Sequence, residues 1–188
     1  MNTSGHLPPQ ALDIEQIVLG ALMLENKVLE NISGTLKEEY FYREAHQKIF
    51  AAIITLSKRN ESADILTVIQ ELKKTKDLEV CGGAFYVSGL TNRISSAVNI
   101  EQHARIILEM YLKRRLIETA QDLLEKGFDA SADVFESIEF AEKSIKEIEI
   151  LKIIQDTIQE NVYDIIQTKK VLEVDKSEEQ IKKETLEQ

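Results

Sequence analysis

Pro8 and Pro9 are the only prolines in this 188-residue chain, and both precede the first segment with a helical pattern. A proline inside a helix removes a backbone donor and its ring clashes with the preceding turn, so helices after position 9 can run unbroken. Seven glycines and few aromatics accompany abundant Leu, Ile, Glu and Lys, residues that favour helices. The expectation is an all-α chain: a compact helical globule, then a long antiparallel helical hairpin and a C-terminal linker helix. At this length one domain, or one domain with an extension, is expected.

Apolar spacing places the elements. A first helix is expected from about Ala11–Asp13 to Glu25, with Ile14, Ile17, Val18, Ala21, Leu22 and Leu24 as its stripe. A short helix follows around Lys27 to Ser33, closed by Gly34. The stretch Glu39-Tyr40-Phe41-Tyr42-Arg43-Glu44-Ala45-His46-Gln47-Lys48-Ile49-Phe50 then feeds an aromatic cluster into a helix to about Lys58. Phe41, Tyr42, His46, Ile49, Phe50, Ile53 and Ile54 fall on one stripe of it. Asp64 is expected to cap a helix through Leu72. Gly82-Gly83 marks a tight turn before a short helix with Phe85, Tyr86, Val87 and Leu90. Residues 11–98 make the globule in this reading, and residues 1–10 a flexible start.

From residue 99 the pattern lengthens. Asn99 with Gln102, and Asp133 with Glu136, read as N-cap pairs opening two long helices, the first ending at Gly127. Joined by a short connection, they form a hairpin over 99–150. Ile106, Met110, Ile117, Ala120 and Leu124 on the first, and Val134, Ile138, Ala141, Ile145 and Ile148 on the second, repeat with the spacing of a coiled-coil seam. Leu108, Leu112, Leu116 and Leu123, with Ile107 and Tyr111, add a second row that one partner helix cannot cover. Burying one such side chain contributes about 1.5–3 kcal/mol. A row left in water therefore forfeits a sizeable part of a domain's net stability of about 5–15 kcal/mol. The cover is either the chain's own globule or another chain, and the small core of a hairpin favours the second. Ile154, Ile158, Val162, Ile165 and Ile166 predict an amphipathic linker helix within 151–170. Residues 171–188 are charge-rich and read as a disordered tail.

Little in the chain promises chemistry. His6, His46 and His103 lie in separate segments without metal-ligand spacing, and His46 reads as a packed core histidine. Cys81, the only cysteine, can make no internal disulfide, which suits a reducing, cytoplasmic setting, and no adjacent base would activate it. Glu15 and Glu38-Glu39 would need a shaped pocket to act as acid and base, and none is legible. No G-x-x-x-x-G-K-[ST] phosphate loop occurs, and without a long apolar run or a basic, apolar, small-residue leader neither a membrane span nor a signal peptide is expected. The formal net charge is -10, and the densest basic spot, Lys113-Arg114-Arg115, is spread round a helix. Direct DNA binding is therefore disfavoured. No catalytic residue, metal ligand or cofactor is assigned, and the chain is expected not to be an enzyme by itself.

Five blocks, in order, resemble the N-terminal domain of the DnaB-family replicative helicases. They are Pro8-Pro9 with Glu15 and Val18-Leu19-Gly20; the Glu39 to Phe50 block with His46; Asp64-Ile65-Leu66-Thr67-Val68; Gly82-Gly83-Ala84-Phe85-Tyr86; and Ser96-Ala97-Val98-Asn99 leading into Ala104-Arg105-Ile106. Tyr40, Ser95 and His103 depart from the family's usual Asp, Pro and Tyr. The resemblance holds to about residue 170. It implies a non-catalytic collar that dimerises through its hairpin, with three dimers forming a ring above the motors, primase docking on the collar and a loader engaging nearby. ATP and Mg would belong to the motor, which these residues do not resemble. The paired surface is assigned to Ile106, Met110, Leu112, Leu116, Val134, Ile138 and Ile145. The primase face implied by the resemblance is Asp13, Tyr86, Ile117 and Leu123. Two other classes stay open: a free-standing phage or mobile-element helical adaptor that binds a host helicase, and a small helical hydrolase, which would need a metal or nucleotide.

Overall fold

The computed structural model describes residues 7–32, 34–93 and 99–153. The chain divides into two compact units, residues 1–148 and 149–188, and of the second only the helical residues 149–153 are described. Residues 1–6 of the expected flexible start at 1–10, the linker helix near 155–169 and the charged tail lie outside the described residues.

Every regular element among the described residues is a helix. α1 spans Leu12–Leu24, α2 Val28–Ile32, α3 Glu44–Lys58, α4 Ile65–Lys74, α5 Gly83–Gly89 and α6 Ile100–Phe128. Short 3-10 turns at Glu38–Tyr40 and Leu90–Arg93 complete the globule. A seventh helix, α7, begins at 134 and is described to 153. No helix among the described residues is long and apolar enough to cross a membrane.

α1 is the hub, touching α2, α3, α4, α6 and the Leu90–Arg93 turn. Its stripe differs from expectation. Val18, Leu19, Ala21, Leu22 and Met23 are buried, while Leu24, assigned to the stripe, is exposed. A helix packed on several sides buries most of its circumference, so a single-face pattern cannot describe it. α3 and the residues leading into it supply much of the core: Phe41 just before it, then His46, Ile49, Phe50 and Ile53, each at most 1% exposed. The Phe41 and Phe50 rings meet tilted, with centroids 4.9 Å apart. Tyr42 leaves the expected stripe because the helix starts only at Glu44; its ring is exposed and lies near the Arg114 guanidinium. Asp64 caps α4 as expected, its Oδ1 accepting from Leu66 N–H at 2.9 Å and Thr67 N–H at 3.0 Å.

α6 does two things along its 29 residues. Its first turns bury Ile100, Ala104, Ile107 and Leu108 in the globule, and the Tyr111 ring meets that of Tyr40 tilted, centroids 4.5 Å apart. Ile107, Leu108 and Tyr111 thus pack back on the chain itself, correcting their assignment to a row covered by another molecule. The reason is that α1, α2 and the Glu38–Tyr40 turn close over this end of α6. Asn99 makes no side-chain cap, a second correction: its backbone (φ -110, ψ 22) is not the extended form that carries a cap oxygen over the first amides. Asp133 does cap α7, accepting from Phe135 N–H at 2.7 Å and Glu136 N–H at 3.2 Å.

α6 and α7 form an antiparallel hairpin. Lys126 lies over the Phe140 ring at 5.1 Å near the turn, and Glu147 acts electrostatically on Arg115 farther along. The buried residues of this stretch are small and polar, Thr119 and Ser144.

Candidate partner-docking site

Three of the five sequence blocks converge on one buried polar corner. Glu15 of α1 places Oε2 at 2.6 Å from His46 Nδ1, and His46 Nε2 lies 2.7 Å from the Tyr86 hydroxyl of α5. Glu15 Oε1 accepts the Tyr42 backbone N–H at 2.7 Å. Arg43 donates to the Tyr86 oxygen at 3.1 Å and Gln16 at 3.4 Å. A guanidinium can only donate, so the tyrosine proton is directed to His46 Nε2. The imidazole is then the tautomer with a proton on Nδ1, which it donates to Glu15. Glu15 and His46 are 2% and 0% exposed, so their polar atoms depend wholly on these bonds.

Tyr86 is also fixed at its base. Gly82 sits in the left-handed region (φ +83), and a Cβ there would meet Tyr86 Cβ at 3.1 Å. A side chain at 82 would therefore be strained and crowded, which is why the turn before α5 needs a glycine. Outside, the Arg43 guanidinium stacks over the Tyr86 ring at 5.2 Å.

The arrangement does not resemble an acid–base site. The Tyr86 hydroxyl is saturated from within the chain, leaving no reactive atom pointed at a substrate. Glu38 and Glu39 border an open cleft of about 340 Å³ with Glu44, Lys48, Glu71 and Asp77. Hydrogen bonds from Arg59 hold the Glu71 carboxyl below its usual range, and hydrogen bonds from Thr75 and Lys48 do the same for Asp77. These two carboxyls stay ionised, the opposite of a general acid. Burial pushes the Cys81 thiol up to about 11, and it donates weakly to Ala45 O. No group of three or more metal-ligating side chains occurs among the described residues.

The expected basic spot is spent on internal contacts. Arg114 donates to Pro9 O at 2.9 Å and Tyr40 O at 2.7 Å, latching α6 to the globule. Lys113 pairs with Glu109 and Arg115 with Glu118.

The sequence-assigned residues fall into two places. Asp13 is exposed on the first turn of α1, one turn from Gln16 and so on the side of α1 that reaches Tyr86. Ile117 and Leu123 lie instead on the far half of α6, the first exposed and the second half-buried. Of the assigned paired surface, Ile106, Met110 and Leu112 are half-buried, whereas Leu116, Val134, Ile138 and Ile145 are 46–61% exposed. Ile117, Leu124, Phe128 and Phe135 join them as exposed apolar residues of the hairpin. Glu15 and His46 were not foreseen as a pair.

An all-helical globule continuing into a helical hairpin defines an all-α domain, and the comparisons specify which. The model of the DnaB-like helicase N terminal domain matches residues 7–109, and the chain belongs to that family. It is 44% identical over 142 residues to the replicative DNA helicase DnaB of Rhodothermus marinus, covering 76% of this chain and 15% of that protein. It is 40% identical over 142 residues to the replicative DNA helicase DnaC of Bacillus subtilis (strain 168), covering 76% of this chain and 31% of that one. The crystal structure of the N-terminal domain of DnaB helicase from Mycobacterium tuberculosis superimposes with a TM-score of 0.72 at 34% identity, covering 76% of this chain and 99% of the other. A DnaB-like replicative helicase, solved in a study of its interactions with primase, gives a TM-score of 0.60 at 25% identity over 73% of this chain and 30% of that one. The chain thus spans less than a third of the two helicases' length, and what it matches is their non-motor N-terminal domain.

Proposed function

We propose that this chain works as the collar of a replicative DNA helicase, pairing with a second copy through its hairpin and offering primase a docking surface that includes Tyr86. The observation that carries the pairing is the hairpin itself. Thr119 and Ser144 are buried and Leu123, Phe140, Ala141 and Ile148 half-buried in it, while Leu116, Ile117, Leu124, Val134, Phe135, Ile138 and Ile145 are exposed. So many exposed apolar side chains on one hairpin suit an association surface, and copies related by a twofold axis would cover it on both sides. Three such pairs would give a ring, and a helicase loader is expected to engage the assembled protein.

The role is mechanical. A collar sets subunit spacing and raises the effective concentration of primase at unwound template without catalysing anything. ATP hydrolysis is assigned to the motor of the full helicase, so the purified chain is expected neither to bind nor to turn over ATP. The replisome setting makes the location cytoplasmic. Sedimentation of the chain at micromolar concentration, with and without cognate primase, tests the proposal. A dimer, or a ring built of dimers, that takes up primase is the expected result; a monomer that ignores primase overturns it.

A further inference from the structure

Tyr86 stands on the proposed primase face, yet its hydroxyl points inward. The oxygen accepts from Arg43 and Gln16 and the proton goes to His46, so none of its hydrogen-bonding capacity is left for a partner. α5, which carries it, is only seven residues long. A helix that short is not held by its own hydrogen bonds and takes its place from tertiary ties. Here the ties are Gly82 beneath the Tyr86 Cβ and the His46 imidazole at the ring's far end. His46 is in turn oriented by Glu15, and neither residue is accessible to another molecule.

We propose that Glu15 and His46 are positioning residues for primase docking: they tether Tyr86 by its hydroxyl, so that its ring and the stacked Arg43 guanidinium form a fixed surface for the partner. This rests on the docking reading above. The hydroxyl is the inner end of the tether and not itself a contact with primase. Deleting either end should therefore have the same consequence, and deleting both should add nothing further.

The test is a double-mutant cycle on the 188-residue chain, with affinity for cognate primase measured by calorimetry for wild type, His46→Gln, Tyr86→Phe and the double variant. Arg59→Ala, which breaks the Arg59–Glu71 pair elsewhere in the globule, is the control for loss of stability alone. Each single change is expected to weaken primase binding roughly tenfold, the size of one lost hydrogen bond to a constrained group. The double variant should bind no worse than the weaker single one, and Arg59→Ala should lower the melting temperature while leaving primase affinity unchanged. Side-chain nitrogen NMR gives a readout independent of primase: wild-type His46 should carry its proton on Nδ1, and Tyr86→Phe should shift the Nε2 resonance. Should His46→Gln fail to fold, Tyr86→Phe decides. Weaker binding together with the Nε2 shift supports the tether, whereas weaker binding with no shift makes the hydroxyl a direct contact and overturns it. Additive losses, or a folded His46→Gln that binds like wild type, also overturn it. A wild-type chain that does not bind primase sinks the docking reading first, and this proposal with it.

Discussion

Replacing Leu116 with glutamate puts the proposed pairing surface under its sharpest strain. Leu116 is 46% exposed in the single chain, so covering it in a dimer buries roughly half a leucine, worth about 1 kcal/mol per copy. A glutamate there loses that gain and adds a carboxylate to a face that is otherwise Leu, Ile, Val and Phe. Removing a charge from water without a partner costs several kcal/mol even after relaxation. In a twofold dimer the change occurs twice. Pairing should therefore weaken by at least about 3 kcal/mol, a factor of roughly 100 or more in the dissociation constant. The fold should survive, because the exposed half of the side chain lets the new carboxylate reach water in the monomer. Sedimentation at micromolar concentration reads the mass, helical circular dichroism reads the fold, and Gln121→Glu, at an exposed polar position of α6, controls for added charge. A folded Leu116→Glu chain that keeps the wild-type mass refutes the reasoning and moves the pairing surface off this face.

Other expectations concern how the domain is held together. Arg114→Ala should destabilise the chain by about 2–4 kcal/mol in urea unfolding, since two hydrogen bonds from a charged donor and its ring contacts vanish together. Arg114→Lys should recover only part of this, because one ammonium cannot serve Pro9 O and Tyr40 O in Arg's fork geometry. Asp64→Ala should cost about 1 kcal/mol in the same assay by uncapping α4. The hydrogen bond from Arg59 lowers the Glu71 carboxyl in the folded chain, so its contribution is full above the ordinary value of 4.5 and is lost as pH falls through the folded value. Glu71→Gln should flatten that part of the acid unfolding curve, and an unchanged curve would assign the acid sensitivity to other carboxyls.

The periodicity of the sequence made the helices and the hairpin legible, because caps and apolar spacing are local signals. Asp64 and Asp133 show this, each a short acidic side chain placed before an apolar run and each found capping. Asn99 had the same local pattern, and a backbone angle that the sequence does not encode locally removed its cap. A one-sided stripe does not describe α1, whose sequence is apolar nearly all round, the mark of a helix surrounded on several sides. The buried corner was the largest omission. Glu15 lies beside stripe positions Ile14 and Val18, and His46 lies on the stripe of α3, so both were destined for burial. A buried carboxylate requires a donor, and the one buried imidazole among the described residues is its natural partner. That inference was available; the third member, Tyr86, needed the turn at Gly82 to bring it near.

The point where α6 changes role explains how one domain can serve both a pairing surface and a docking corner. Up to Tyr111 the helix belongs to the globule, and from Leu116 onward it offers apolar residues to the outside. Arg114, between the two, bonds to carbonyls at Pro9 and Tyr40, and the Glu15 carboxylate of the polar corner acts electrostatically on it. Because α6 is one unbroken helix, Phe128 lies about 20 Å beyond that latch at 1.5 Å per residue. A rod of this length, anchored at one end by buried Ile107 and Leu108, transmits the orientation of the globule to the hairpin. A second copy covering Leu116, Ile138 and Ile145 would then fix where both Tyr86 corners stand relative to each other. The spacing of docking sites in an assembly would thus follow from helix geometry, with no need for direct contact between the globules.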